Sequence, residues 1–384
     1  MSPPASKDLI HRARRVAVPP YQHVQRQLHD LRMLVFEVTQ RCNLTCRHCG
    51  SDCTRSATVP DLPPQKILEV LGEVAQAYDP KRITVMIGGG QPLLYDGLWD
   101  LGRQIRKLGF PWGMVTNGSL WDQATLERAR KAGARSISVS LDGPKDAHEW
   151  LRGKDGDFDT VLATVKRLIA AEWLNVMDVI TVVHPNNVHR LEETWRIMQE
   201  IGAPGWRLIP ISPIGRAKTN RDLLLSTEQF QLLLKTIMDL RQRSDMPVYL
   251  SESNYMGGDL DFRVRDHHYF CRAGISFGGV MVNGDILACA SIDRRFAQGN
   301  VFQDSFVHTW ENRFEVFRDR RWMKTGRCDG CKEWRHCQGN SFHNWDLDAN
   351  APGACQFHDH ALSDVPLCGD LPLRSKRPGP RRRR

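Results

Sequence analysis

Cys42, Cys46 and Cys49 stand in the spacing CX3CX2C, three thiols within eight residues, with Cys53 four residues further on. Thiolates packed that closely make a compact metal site. A tetrahedral structural zinc site prefers two CX2C knuckles and four ligands. A cubane iron–sulfur cluster normally takes four thiolates, so three leave one iron without a protein ligand. That iron can hold a substrate or a cofactor. The spacing reads as an iron–sulfur loop ahead of zinc or chance, with Cys53 as a bystander thiol.

Seven further cysteines follow residue 270. Cys271, Gly284 and Cys289 form CX12GX4C. Cys328, Cys331 and Cys337 form CX2CX5C, and Cys355 and Cys368 come after. CX2C can also be half of a zinc ribbon. No apolar run approaches the roughly 18 residues that span a bilayer, and the first 20 residues lack the apolar core of a secretory signal. A cytoplasmic chain is expected. Thiols there rarely form structural disulfides, and eleven cysteines fit complete pairing poorly. Metal is the remaining explanation.

The elements that must position these thiols alternate. Residues 33–39, 82–87, 112–116, 136–141, 176–183 and 206–211 read as apolar strands. Helical patterns lie between them at 64–78, 95–109, 122–132, 158–172 and 191–202. A last helix runs from about 226 to 243, with Ser226 and Gln229 spaced as a capping box. Such alternation implies a parallel sheet covered by helices. Six units are too few for a closed eight-fold barrel, so an open doubly wound sheet and an incomplete barrel both fit. Ligands then bind at the C-terminal strand ends, where the first cysteine loop lies. After about residue 250 helical periodicity thins, and Asn283-Gly284 between apolar residues marks a hairpin.

Net charge is +9, but it sits in the tails. Residues 1–15 sum to +3, residues 374–384 to +7, and the body between them to −1. The basic character therefore does not argue for a nucleic-acid groove in the folded part, and a nucleic-acid partner is not expected. The divisions read as an N-terminal extension (1–33), a β/α part (34–249), a cysteine-rich domain (250–360) and a disordered basic tail (361–384).

CX3CX2C after the first strand of a six-fold β/α pattern resembles the radical S-adenosylmethionine superfamily. The resemblance covers 34 to about 245 and implies an α/β fold, an incomplete (β/α)6 TIM-like barrel. It implies a 4Fe-4S cluster on Cys42, Cys46 and Cys49 whose open iron is chelated by S-adenosylmethionine. Reductive cleavage then gives a 5′-deoxyadenosyl radical, which abstracts hydrogen from a substrate. Gly88-Gly89-Gly90-Gln91-Pro92 is similar to the family's GGEP segment, which meets the methionine amino group, with Gln91 in place of glutamate. Ser140 and Asp142 fall where the family contacts ribose and carboxylate. His48 falls where it places a ring near adenine.

The later cysteines resemble the SPASM domain, a small C-terminal cysteine-rich iron–sulfur extension. The resemblance implies one or two auxiliary 4Fe-4S clusters. Cys328, Cys331, Cys337 and Cys355 complete one set. Cys271 and Cys289 belong to the other, which has lost a ligand: Ser341 stands where the pattern has cysteine. That cluster is absent, keeps an open iron, or recruits Cys368, His343 or His358. Trp334 and Trp345 are expected to shield cluster sulfurs. Ala290 replaces the aspartate of the sulfatase-maturing branch and argues against that activity.

The resemblance implies an enzyme acting first on a peptide or protein, with an electron donor such as flavodoxin or ferredoxin. The alternative of the same class is a small-molecule substrate, a haem-like or quinone precursor. The alternative of another class is a non-catalytic iron–sulfur or zinc-binding protein. The stretch before the first strand is too short for the winged-helix module that peptide modifiers often carry.

Overall fold

Alternating apolar residues give β1 (Met33–Thr39) one face for the barrel interior and one for the surrounding helices, and Leu34, Phe36 and Val38 are fully buried. The computed structural model describes residues 5–251, 254–360 and 362. Apart from Leu362, the expected tail lies outside the described residues, as does Cys368. Strands β2 (Thr84–Gly89), β3 (Trp112–Thr116), β4 (Ser136–Ser140), β5 (Val176–Val183) and β6 (Trp206–Pro210) follow in parallel succession. A seventh parallel strand, β7 (Val248–Leu250), pairs with β6. It is three residues long, too short to show a period in the sequence.

The helices before the cysteine-rich segment are α1 (Ala5–Leu28), α2 (Pro64–Ala77), α3 (Leu98–Lys107), α4 (Gln123–Ala132), α5 (Lys145–Arg152), α6 (Asp157–Ala170), α7 (Leu191–Glu200) and α8 (Thr227–Arg243). Pro64 starts α2, where its missing N–H costs nothing. The Asp122 side chain caps α4, and the Ser226–Gln229 capping box forms on α8. Helix α5 was not legible in the sequence, since eight residues carry little periodicity. Trp112 and Trp206 are fully buried core, each indole N–H bonded inside the protein, to the Ala132 carbonyl and to Thr181.

The cysteine-rich segment extends the same sheet. The hairpin of β8 (Phe277–Val280) and β9 (Asp285–Leu287) forms around Asn283-Gly284, and Gly284 has φ +88°. β8 pairs parallel with β1, and β10 (Gly299–Asn300) closes the row. The order is β10-β9-β8-β1-β2-β3-β4-β5-β6-β7, so β7 does not return to β1 and the barrel stays open. Buried Glu37 of β1 ties the two halves by an ion pair to Arg294 at 2.8 Å. The N-terminal stretch also packs across the cysteine-rich segment: Arg15 pairs with Glu333 at 2.6 Å and Gln22 donates to the His336 carbonyl. No helix among the described residues is long and apolar enough to cross a membrane.

Candidate functional site

The chain leaves β1 at the C-terminal edge of the sheet and enters a loop that the sequence alone gives no regular structure. Its shape comes from neighbours. Cys42 N–H donates to the Thr54 carbonyl and Thr54 N–H to that of Gln40, which closes the loop on itself. Gly90 donates its N–H to the Thr39 carbonyl, and Gln91 to that of Arg41. A Cβ at position 90 would stand 2.1 Å from the Arg41 carbonyl oxygen, so only glycine lets β2 lie against the cysteine loop. The close approach expected of Gly88–Gly90 is therefore, at Gly89 and Gly90, an approach to the protein's own loop. The Gln91 side chain is buried and binds Thr116 at 3.0 Å and Asn117 at 2.9 Å.

From the other side Arg216 clamps the loop. Its guanidinium donates to the carbonyls of Cys46 (2.7 Å) and Cys53 and pairs with Asp52 (2.8 Å), while its N–H donates to the Cys49 carbonyl. The preceding Gly215 has φ +52°, and a Cβ there would lie 2.3 Å from the Cys49 carbonyl. Arg216 lies in the loop after β6, and nothing in its own segment announces this role.

The three thiols lie in one electrostatic neighbourhood, Cys49 acting on both Cys42 and Cys46. Burial raises Cys42, and it raises Cys46 against the pull of Arg152. Cys49 is lowered, because the Cys53 thiol hydrogen-bonds it and the Cys53 N–H donates to its sulfur at 3.4 Å. Cys53 is raised by the same bond. Asn117 brings its amide to 3.9 Å from Cys42 Sγ and binds Asn43 at 2.9 Å.

Asp142 lies at the end of β4 with no exposed surface. Arg152 of α5 pairs with it at 2.5 Å, and the Val182 N–H donates to its other oxygen at 2.9 Å. Burial alone would raise this carboxyl. Arg152 outweighs burial, helped by His148 and His48, and holds it down at about 2. Arg152 reaches on to 3.8 Å from Cys46 Sγ. Both Asp142 oxygens thus have protein partners, and Arg152, which the sequence reading missed, is the group between Asp142 and the cysteines. Burial pushes His48 down to about 3 and His184 to about 4, so both rings are neutral at ordinary pH. His48 Nδ1 and His184 Nε2 are enclosed without partners. Ser140 is buried at the same strand end. Ser138, two residues earlier, is bound by Asp178 (2.5 Å) and Arg207 (2.9 Å), a triad across β4, β5 and β6. The lone acid in strand 176–183 was the available signal for it.

Among the described residues no three His, Cys, Asp or Glu side chains close on a single metal ion. A four-iron cluster holds its thiolates farther apart than one ion does. The donor set of three loop thiols, with orphaned ring nitrogens beside it, suits that larger group and an organic ligand next to it.

Cys328, Cys331, Cys337 and Cys355 line one small cavity together with Trp334, Asn340 and His358. His358 Nε2 lies 3.5 Å from Cys331 Sγ. Burial raises Cys328 to about 11, with Cys355 and Cys331 adding to it, and raises Cys337 further. Trp334 borders these thiols, as expected. Trp345 does not line that cavity: it packs edge-on against Trp322 and lines a different cleft. Cys271 and Cys289 are likewise outside the four-cysteine cavity, half-buried against the core.

Residues 36–197 match the family model described as Radical SAM superfamily. An AdoMet-dependent heme synthase of Methanosarcina barkeri is 26% identical over 80% of this chain and 90% of its own length. The PqqA peptide cyclase of Gluconobacter oxydans is 26% identical over 86% and 93%. The crystal structure of Streptococcus suis SuiB bound to precursor peptide SuiA superposes with a TM-score of 0.65 at 18% identity, covering 81% of this chain and 71% of that one. The thiol loop at the end of β1, the open parallel barrel and these likenesses agree. The chain carries a radical S-adenosylmethionine domain at residues 36–197 and is similar along most of its length to enzymes of that superfamily, with a cysteine-rich segment C-terminal to the domain.

Proposed function

We propose that the chain modifies a peptide or protein. When bound at Cys42, Cys46 and Cys49, the 4Fe-4S cluster and S-adenosylmethionine supply the radical that removes a hydrogen atom from the substrate. This chain's residues position and enclose that chemistry. Gly88 to Gln91 lie along the end of β2 and Ser140 ends β4, at the barrel end where they would hold the cofactor's methionyl and ribose groups. Neutral His48 offers a flat ring for the adenine. Asp142 acts through Arg152, fixing its guanidinium beside Cys46. Cys328, Cys331, Cys337 and Cys355 would hold an auxiliary cluster, which would supply a one-electron acceptor or donor near the substrate site. A flavodoxin or ferredoxin supplies reducing equivalents.

The observation that carries the peptide reading is a cleft of about 370 Å³ beside the cysteine loop. Gly50, Ser51 and Asp52 form one wall, directly after Cys49, and Arg294, Asn344 and Trp345 of the C-terminal segment form the other. The lining mixes charged, amide and aromatic groups, which can bond the backbone and the side chains of a polypeptide. A relative that is a peptide cyclase and the peptide-bound neighbour support the same reading. A small-molecule substrate is the second reading, favoured by the heme synthase relative.

The test is 5′-deoxyadenosine formation by the anaerobically reconstituted, dithionite-reduced enzyme, alone, with a set of synthetic peptides, and with an iron tetrapyrrole. Cys42→Ala/Cys46→Ala/Cys49→Ala is expected to abolish it. Mass loss on a peptide supports the proposal. Turnover with the tetrapyrrole and none with peptides overturns it in favour of the second reading.

A further inference from the structure

The SPASM resemblance allows one or two auxiliary clusters, and the residues around Cys271 do not fit the first of them. We infer that this chain carries two clusters in all, the place of the first auxiliary cluster being filled by a buried hydrogen-bond network centred on Ser341. The inference deepens the proposed function, on which it rests for the other two clusters.

Ser341 occupies the position where the cysteine pattern calls for a ligand, and it has no exposed surface. Its hydroxyl donates to the Asn254 carbonyl oxygen, and the Asn254 amide donates in turn to Gln356. Asn254 is fully buried and Gln356 nearly so. The Tyr269 phenol, two residues before Cys271, is hydrogen-bonded with Ser341. Arg320 bridges the two segments. Its guanidinium donates to the carbonyls of Cys271 (3.1 Å) and Asn340 (3.0 Å) and lies 4.6 Å from the Phe342 ring, at 3% exposure.

A cluster between Cys271 and Ser341 would have to separate Ser341 from Asn254 and Arg320 from the Cys271 and Asn340 carbonyls. Each break leaves a buried polar group without a partner, which is costly. Serine also offers a neutral, weakly ligating hydroxyl where a thiolate is needed. The network has a use where it stands. Asn340 and Ser341 follow Cys337, and Gln356 follows Cys355, so the bonds that fill the first site brace two ligands of the second.

Iron and acid-labile sulfide are counted on the anaerobically reconstituted full chain. About eight irons per chain are expected, two clusters of four. Cys271→Ser/Cys289→Ser is expected to leave the count and the electron paramagnetic resonance signals unchanged. Cys328→Ser/Cys331→Ser is expected to lose about four irons. A wild-type count of about twelve overturns the inference, as does loss of about four in Cys271→Ser/Cys289→Ser with the other signals intact. Should that variant not fold, the wild-type count still decides. Failure of the proposed function has a different signature: the signal of the Cys42, Cys46 and Cys49 cluster would not respond to S-adenosylmethionine, whatever the count.

Discussion

Arg152→Met removes one member of a buried ion pair and keeps most of the side chain's length. In the structure Asp142 is fully buried and Arg152 is 8% exposed, with the pair at 2.5 Å. Taking away one partner leaves an uncompensated charge in a place that water does not reach, a loss of about 3–5 kcal/mol. The pH dependence carries more information than the size. With Arg152 present the Asp142 carboxyl sits at about 2, below its usual 3.8. Its contribution, about 2 kcal/mol, is therefore complete above pH ~4 and lost as pH falls through that window. Without Arg152, burial dominates and pushes the carboxyl above its usual value. The ionised form is then penalised, so the variant gains stability as pH falls from 7 toward 4. Urea unfolding of the apo chain at pH 7 and pH 5 reads this directly, because the midpoint tracks stability. Asp142→Asn closes a double-mutant cycle, in which a coupling of about 2 kcal/mol or more is expected. A loss below about 1 kcal/mol, with the same midpoint trend as wild type from pH 7 to 5, would refute the claim that Arg152 neutralises Asp142.

Four other outcomes follow from the contacts around the cysteines. Gly90→Ala drives a methyl group into the Arg41 carbonyl, so the cysteine loop must shift, and iron bound at Cys42, Cys46 and Cys49 is expected to fall while the C-terminal iron stays. Arg216→Lys cannot span the Cys46 carbonyl, the Cys53 carbonyl and Asp52 at once; stability is expected to drop by about 1–3 kcal/mol, measured by urea unfolding. Cys53→Ala removes the thiol bonded to Cys49 but keeps the backbone N–H donor; unchanged iron with a more negative potential is expected, and loss of the cluster would make Cys53 a ligand. Trp334→Ala opens the four-cysteine cavity to water, and a shift in that cluster's potential with no iron loss is expected in a redox titration.

What the sequence could show was local. The spacing of Cys42, Cys46 and Cys49, the apolar strands, the Ser226–Gln229 box and the Asn283-Gly284 hairpin all lie within a few residues of the partner that gives them meaning. What it could not show was how distant charges meet. Arg152 reads as one more cation on a short amphipathic helix, yet it is the counter-ion of Asp142 and comes within 3.8 Å of the Cys46 sulfur. Arg216 reads as a solvated loop residue, yet it ties together three points of a loop more than 160 residues earlier. The parallel pairing of β8 with β1 is equally remote in sequence, and no pattern in 277–280 announces it.

These omissions share a cause. A loop of three thiols that must receive a charged cluster cannot be held by apolar packing, because apolar side chains cannot bond its carbonyls or balance its charge. Polar contacts from other strand ends do that work here. Gln91 comes from the end of β2, Asn117 from that of β3, Arg152 from the helix after β4, and Arg216 from the loop after β6. Each is a single residue whose type is unremarkable in its own segment. The barrel matters for function because it delivers these four to one edge, and only the thiols, whose chemistry is rare, announce from the sequence where that edge will be.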